Sequence, residues 1–220
     1  MECLGDFGSM PIKLAEGSDI GIYDAMNIAL TYATGDYVYF LNCGDYLYDT
    51  DVISGIFNAI DNSNPDDKYI IYGDIFDRMT GCRVSSAPSI NGFTCYRNVP
   101  CHQACFYDRR LVALHPFEVS YKVRADYEQF LWCFYEGGAK FVHKDIIVAD
   151  YEGGGFSDKN NKISADEHKE IVEKYMSKGE ILKYKTALTV SLSGLRSAIA
   201  KNPKTAGMYN SIKNKLYKMK

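Results

Sequence analysis

No stretch of this chain approaches the roughly 18 to 20 consecutive apolar residues that a membrane-spanning helix requires, so a transmembrane segment is not expected. The opening residues, MECLGDFG, supply neither a basic start nor an apolar core, and a secretory leader is not expected either. The cysteines fall into no disulfide framework. There are seven, an odd number, at Cys3, Cys43, Cys82, Cys95, Cys101, Cys105 and Cys133. That pattern without a leader predicts reduced thiols in a cytosolic compartment. Cys101-His102-x-x-Cys105 has no second Cys/His pair at the usual distance, which argues against structural zinc. Internal repeats and low-complexity segments are missing too.

What remains is enough to build a core. Of 220 residues, 46% are hydrophobic and 14% aromatic, which fits one large domain or one domain with an appendage. The net charge of -3 conceals an asymmetry. From Lys178 onward ten Lys and Arg stand against one acid, Glu180, whereas the rest of the chain holds 15 basic and 27 acidic residues. The acidic body does not suggest nucleic acid as a partner, and none is expected. The chain thus divides into a domain over 1–178 and a basic helical tail over 179–220. Ile181, Tyr184, Leu188, Leu192, Leu195 and Ile199 form an apolar stripe on that tail. A basic helix with such a stripe suits an anionic membrane surface. The plainer alternative packs the stripe on the domain and leaves the lysines in water. Packing is the expectation for the first tail helix, and membrane contact for Ser211 to Lys220.

The stretch from Glu16 to Asp45 organises the rest. Asp19 and Gly21 lie in a loop, and Ile22, Ala25, Met26, Ala29, Leu30 and Ala33 recur at helical spacing up to Gly35. Tyr37 to Leu41 reads as a strand buried on both faces. It leaves through Asn42-Cys43-Gly44-Asp45. Ligands bind outside the carboxyl ends of strands in an open α/β sheet, so Asp45 is placed to hold a cation and Gly44 to let a phosphate approach the backbone. An aspartate there can equally cap the next turn.

Elsewhere, Met10 to Ala15 reads as a first strand, and Asp49 to Asp51 offer N-caps for a helix over Val52 to Ile60. Tyr69 to Tyr72 reads as a buried strand ending at Gly73-Asp74, followed by a hairpin about Thr80-Gly81. Ser89 to Pro100 reads as irregular, with a short helix from Asp108. A helix over Ala125 to Tyr135 is led by Asp126 and ended by Gly137-Gly138. Lys140 to Tyr151 supplies one or two strands, and Gly153-Gly154-Gly155 a turn. Ser164 and Glu167 signal a capped helix running to Met176. Two tail helices are divided near Asn202-Pro203.

The stretch EGSDIGIYDAMN, then Ala33-x-Gly35-Asp36, then Leu41-Asn42-x-Gly44-Asp45, resembles the bacterial family 2 glycosyltransferases. Further motifs agree: Tyr72-Gly73-Asp74, His102-Gln103-Ala104 with Phe106, Arg109 and Arg110, Tyr121-Lys122 followed by Ala125-Asp126-Tyr127-Glu128, and Gly153-Gly154 with Ser157. The likeness covers about Ile12 to Glu173. It implies a GT-A-like, Rossmann-like α/β fold, a mixed sheet flanked by helices, with a helical C-terminal appendage. It also implies inverting transfer of a sugar from a nucleotide-sugar, commonly a UDP-sugar, to a saccharide or polyprenyl-linked acceptor in surface-polysaccharide synthesis. By the same likeness Asp126 is the catalytic base and Asp45 the ligand of Mn²⁺ or Mg²⁺. Glu16, Asp19, Tyr23, Asp24, Asn27, Asn42, Gly44, His102 and Gln103 are the implied substrate contacts. Asp126 read without the likeness is an N-cap, and His102 a structural histidine.

Two departures from the family pattern stand out. Cys43 occupies a position where many relatives carry a second acid. The usual first half, with its N-x-[ED] turn and D-G-x-S-x-DGT strand end, is not represented, so the chain reads as starting at the family's third strand. Either Ile12–Ala15 then pairs with Tyr37–Leu41 or an exposed sheet edge is left for a partner chain or second copy. A non-catalytic glycosyltransferase-like subunit is the alternative reading.

Overall fold

The computed structural model describes residues 17–60, 64–155, 160–190, 198–200 and 202–218. The expected first strand, Met10–Ala15, lies outside the described residues, and so does Glu16. The fold is α/β. One mixed sheet holds β1 (Tyr37–Tyr39), β2 (Tyr46–Leu47), β3 (Lys68–Asp77), β4 (Cys82–Val84), β5 (Cys105–Asp108) and β6 (Ala139–Tyr151). Their order is β1-β5-β3-β6-β2, with β4 paired to β3. The helices are α1 (Ile22–Leu30), α2 (Val52–Phe57), α3 (Gly92–Arg97), α4 (Arg109–Leu114), α5 (Ala125–Tyr135), α6 (Asn161–Tyr175), α7 (Lys178–Val190) and α8 (Pro203–Lys218).

The centre of the sheet is β3. Its residues Ile70, Ile71 and Tyr72 are fully buried, and strand alternation sends them to opposite faces. Ile70 and Tyr72 join Leu111 of α4 and Phe130 of α5. Tyr69 and Ile71 join Val52 and Ile56 of α2. The sheet is therefore covered on both faces, and each large side chain so buried contributes about 1.5–3 kcal/mol. A third cluster ties Tyr23 and Met26 of α1 to Tyr127 and Leu131 of α5 and to Ile171 and Val172 of α6.

Strand directions decide where a ligand can sit. β5 runs antiparallel to both β1 and β3, while β6 runs parallel to β3. The carboxyl ends of β1, β3 and β6 thus share one edge of the sheet. Asn42 to Asp45 follow β1 on that edge, and Glu152 follows β6.

Several local expectations need correction. Tyr37 to Tyr39 is half-buried, not buried on both faces, and β1 is paired only with β5 among the described residues. α1 stops at Leu30, before Gly35, and α2 stops at Phe57 rather than Ile60. β3 does not end at Gly73-Asp74. It continues to Asp77, because Asp74 is buried and satisfied: Arg83 Nε donates at 2.6 Å, Ser85 Oγ at 2.8 Å and Ser86 N at 2.9 Å. Gly73 marks the close approach instead, since a Cβ there would sit 2.7 Å from Ile146 O at a register shift between β3 and β6. The segment Ser89–Pro100 is not wholly irregular. α3 begins at a reciprocal cap between Asn91 and Thr94. The helix expected from Ser164 begins at Asn161, and Ser164 and Glu167 are buried within it. The tail division at Asn202-Pro203 coincides with the start of α8.

Candidate active site

The helix α1 starts through two short polar contacts. Asp19 Oδ1 accepts from Gly21 N and Asp24 Oδ2 accepts from Ile20 N, each at 3.0 Å. Asn27 clamps the backbone of Phe117, its amide donating to the carbonyl at 2.8 Å and accepting from the N–H at 2.9 Å. These contacts aim Tyr23 inward. Its hydroxyl lies 2.8 Å from Val123 O and 3.0 Å from Asp126 Oδ1.

Asp126 is the second residue of α5. Tyr127 N donates to its Oδ1 at 2.9 Å, and His102 Nδ1 lies 3.1 Å from its Oδ2. Asn42 Nδ2 lies 3.3 Å from His102 Nε2. The amide donates there, so Nε2 is the acceptor and Nδ1–H the donor to Asp126. Burial opposes ionisation of Asp126, but the His102, Tyr23 and Tyr127 donors outweigh it and hold the carboxyl below the usual carboxylate range. The helix N-terminus adds to that stabilisation. Two donors already occupy Oδ1, whereas Oδ2 keeps a free lone pair, and the side chain is 26% exposed.

Asp45 is buried more deeply. Gln103 Nε2 donates to its Oδ2 at 3.0 Å and Glu152 N to its Oδ1 at 2.8 Å. Gln103 is itself buried and its other amide end accepts from Cys101 Sγ at 2.8 Å, so it positions Asp45. Gly44 takes φ +94°, and a Cβ there would run into the Glu152 carboxylate. Arg78 holds the Gly44 carbonyl and pairs with Asp150 at 2.9 Å.

One cavity of about 730 Å³ unites these groups. Tyr23, Asn42, Asp45, His102, Gln103 and Asp126 all line it. Asp19, Asp24, Asn27 and Gly44 do not line it, and Glu16 is outside the described residues. The size is that of a small-molecule site. Sequence reasoning missed Glu152, Arg97 and Lys213 on its lining. The signal for Glu152 was present: an acid before a glycine turn at a strand end, the same logic that marks Asp45.

The residues fit a hard divalent cation in part. Each Asp45 oxygen keeps a lone pair after its one hydrogen bond, and Glu152 brings a second carboxylate to the same cavity. Mg²⁺ is commonly held by one or two carboxylates plus substrate phosphates. Among the described residues no cluster of three or more His, Cys, Asp or Glu forms a complete metal cage. The described cysteines are free thiols. No helix among the described residues is long and apolar enough to cross a membrane.

No protein-family model matches the chain. Curated proteins do. An uncharacterised glycosyltransferase of Mycobacterium tuberculosis (strain ATCC 25618 / H37Rv) is 31% identical over 117 residues, 51% of this chain and 44% of that protein. The chain spans about half the length of the curated relatives it matches, 54% in the case that follows. Its cavity, with Asp45 and Glu152 at the carboxyl edge of a mixed sheet, thus lies in a chain similar to the PGL/p-HBAD biosynthesis glycosyltransferases of Mycobacterium bovis (strain BCG / Pasteur 1173P2) and Mycobacterium tuberculosis (strain ATCC 25177 / H37Ra), at 35% identity over 142 residues, 64% of this chain.

Proposed function

We propose that this chain carries the acceptor-side chemistry of an inverting, GT-A-like glycosyltransferase. The donor is a nucleotide-sugar, commonly a UDP-sugar, and the acceptor a saccharide or polyprenyl-linked sugar. The observation that carries the reading is the Asp126 carboxylate, held ionised by three donors and open at Oδ2 in the cavity that also contains Asp45. An acceptor hydroxyl attacks the anomeric carbon, the bond to the leaving diphosphate breaks, and the hydroxyl proton passes to Asp126 Oδ2. His102 and Tyr23 are positioning residues that keep the carboxylate aimed and charged. Asp45, with Glu152 near it, is the proposed holder of Mn²⁺ or Mg²⁺, which when bound supplies charge neutralisation for the leaving group. The names of the relatives support the transferase class.

The test is transfer from radiolabelled nucleotide-sugars. Asp126→Asn keeps the side-chain shape and removes the base, its amide NH2 replacing the acceptor that faces His102 Nδ1. It is expected to lower turnover by about a hundredfold or more in a chain that still unfolds cooperatively, at a somewhat lower melting temperature. Full turnover in that variant removes Asp126 from the role. Asp45→Ala is expected to abolish the Mn²⁺ dependence of diphosphate binding in calorimetry, and identical binding in both proteins counts against the cation site.

A further inference from the structure

Besides its acids, the cavity is lined by four basic side chains, Arg97, Lys122, Arg124 and Lys213. Among the described residues none of the four forms an ion pair. Arg124 Nε is engaged by Ser164 at 2.9 Å, and Arg97 touches Tyr217 Oη at 3.5 Å. Lys213 arrives from α8, the last of the described helices. That helix is seated on the rim of β3 and β4. Ala206 is fully buried, Gly207 faces Cys82, and the Asn214 amide meets Ser85 Oγ at 2.5 Å. Lys213 Nζ donates to Ser85 O at 2.6 Å and so keeps two further N–H donors.

We propose that Lys213, with Arg97 beside it, forms a phosphoryl-binding wall of the cavity, which makes α8 a working part of the site. The inference rests on the transferase reading and names the chemistry its ligand must bring: a phosphoryl group, from the donor diphosphate or from the phosphate of a lipid-linked acceptor. Burial pushes the Lys213 ammonium down to about 8, the Arg97 charge acting in the same direction and Asp74 against it. Both cations reach the same side chain, Lys213 Nζ lying 5.4 Å over the Tyr217 ring and Arg97 3.5 Å from the Tyr217 hydroxyl, an arrangement that a bound anion relieves. Asp74 does not fill that role, because Arg83, Ser85 and Ser86 already engage it.

Calorimetry on the full chain tests this with two probes, inorganic pyrophosphate and farnesyl phosphate in detergent. Lys213→Gln retains a donor for Ser85 O and removes the charge. It is expected to weaken one probe by about tenfold, ~1.4 kcal/mol, while Lys213→Arg stays within about threefold of wild type. The probe affected tells donor from acceptor phosphate. Arg97→Gln, on an exposed side chain, is expected to weaken the same probe and decides the matter if Lys213→Gln does not fold. Wild-type affinity in both neutral variants, or no binding of either probe by the wild type, overturns the inference. Lys213-dependent pyrophosphate binding in a chain that transfers no sugar upholds this inference and sinks the transferase reading instead.

Discussion

Asp126 and Glu128 stand two residues apart on α5 and have opposite surroundings. Asp126 faces the cavity, whereas Glu128 is fully buried between His115 at 2.9 Å, Lys174 at 2.6 Å and Tyr175 at 2.5 Å. Burial alone raises the pKa of such a carboxyl, but these three partners win and hold it down to about 2, against an ordinary 4.5. A carboxyl depressed in the folded state adds stability that is present above its unfolded pKa. That stability is lost as pH falls from about 4.5 towards about 2. The effect is worth about 3 kcal/mol by linkage. Glu128→Gln is therefore expected to lower the melting temperature at pH 7 and to flatten the acid side of the stability profile. A variant whose melting temperature falls with acid as steeply as the wild type contradicts this account. Gly44 makes a second residue-level prediction. Gly44→Ala puts a Cβ at a left-handed φ and into the Glu152 carboxylate, so the Asp45 turn must shift. Cation affinity is expected to fall by about tenfold or more, since displaced ligands and their supports typically cost that much, and metal titration checks it.

At the scale of elements, the packing of α6 explains how the approach to Asp126 is fixed. The Glu167 carboxylate accepts three successive backbone N–H groups, from Lys122 at 2.7 Å, Val123 at 3.0 Å and Arg124 at 2.9 Å. It pins the loop that enters α5. Glu167→Ala leaves those donors unsatisfied and is expected to destabilise the chain by about 2–3 kcal/mol. Turnover is expected to fall as well, because Asp126 loses its aim, and paired melting and kinetic measurements separate the two effects. The same pair, Ser164 and Glu167, shows why local signals misled. Their spacing is that of a capping box, yet a loop 40 residues upstream engages both side chains. Gly73-Asp74 looks like a strand end in the sequence, yet β3 runs on to Asp77. The partners that allow Asp74 to stay inside the sheet, Arg83 and Ser85, lie across the hairpin. α3 escaped notice because its cap uses Thr94 where Glu or Gln is the usual signal. α1, α5 and the Thr80-Gly81 hairpin were legible, since apolar periodicity and turn residues agree with their packing.

Across the whole molecule, the cavity residues Asp45, His102 and Asp126 stand in sequence motifs, whereas Lys213 on the same lining does not, because no local pattern announces a side chain delivered by a distant helix. In the tail, Ile181 and Tyr184 of α7 pack against the domain core, as expected for the first tail helix. α7 buries no side chain completely, while α8 buries Ala206 and Asn210. The outer side of α8 still shows Met208 at 67% and Ile212 at 53% exposure, with Lys204 and Lys215 exposed as well. A docked helix with such an outer face can rest on an anionic bilayer. The full chain is expected to sediment with vesicles rich in anionic lipid, to leave them as salt rises, and to ignore neutral vesicles. Equal binding to both kinds of vesicle refutes an electrostatic anchor. The Ser85–Asn214 contact spans 129 residues of sequence, and this has a consequence for synthesis. During translation the sheet can assemble first, since chains fold from the N-terminal side as they emerge. The cavity gains its last wall only after Lys213 has emerged, long after Asp45 and Asp126. A stop codon ahead of Lys213 would yield a chain with Asp45 and Asp126 in place around a cavity left open to water.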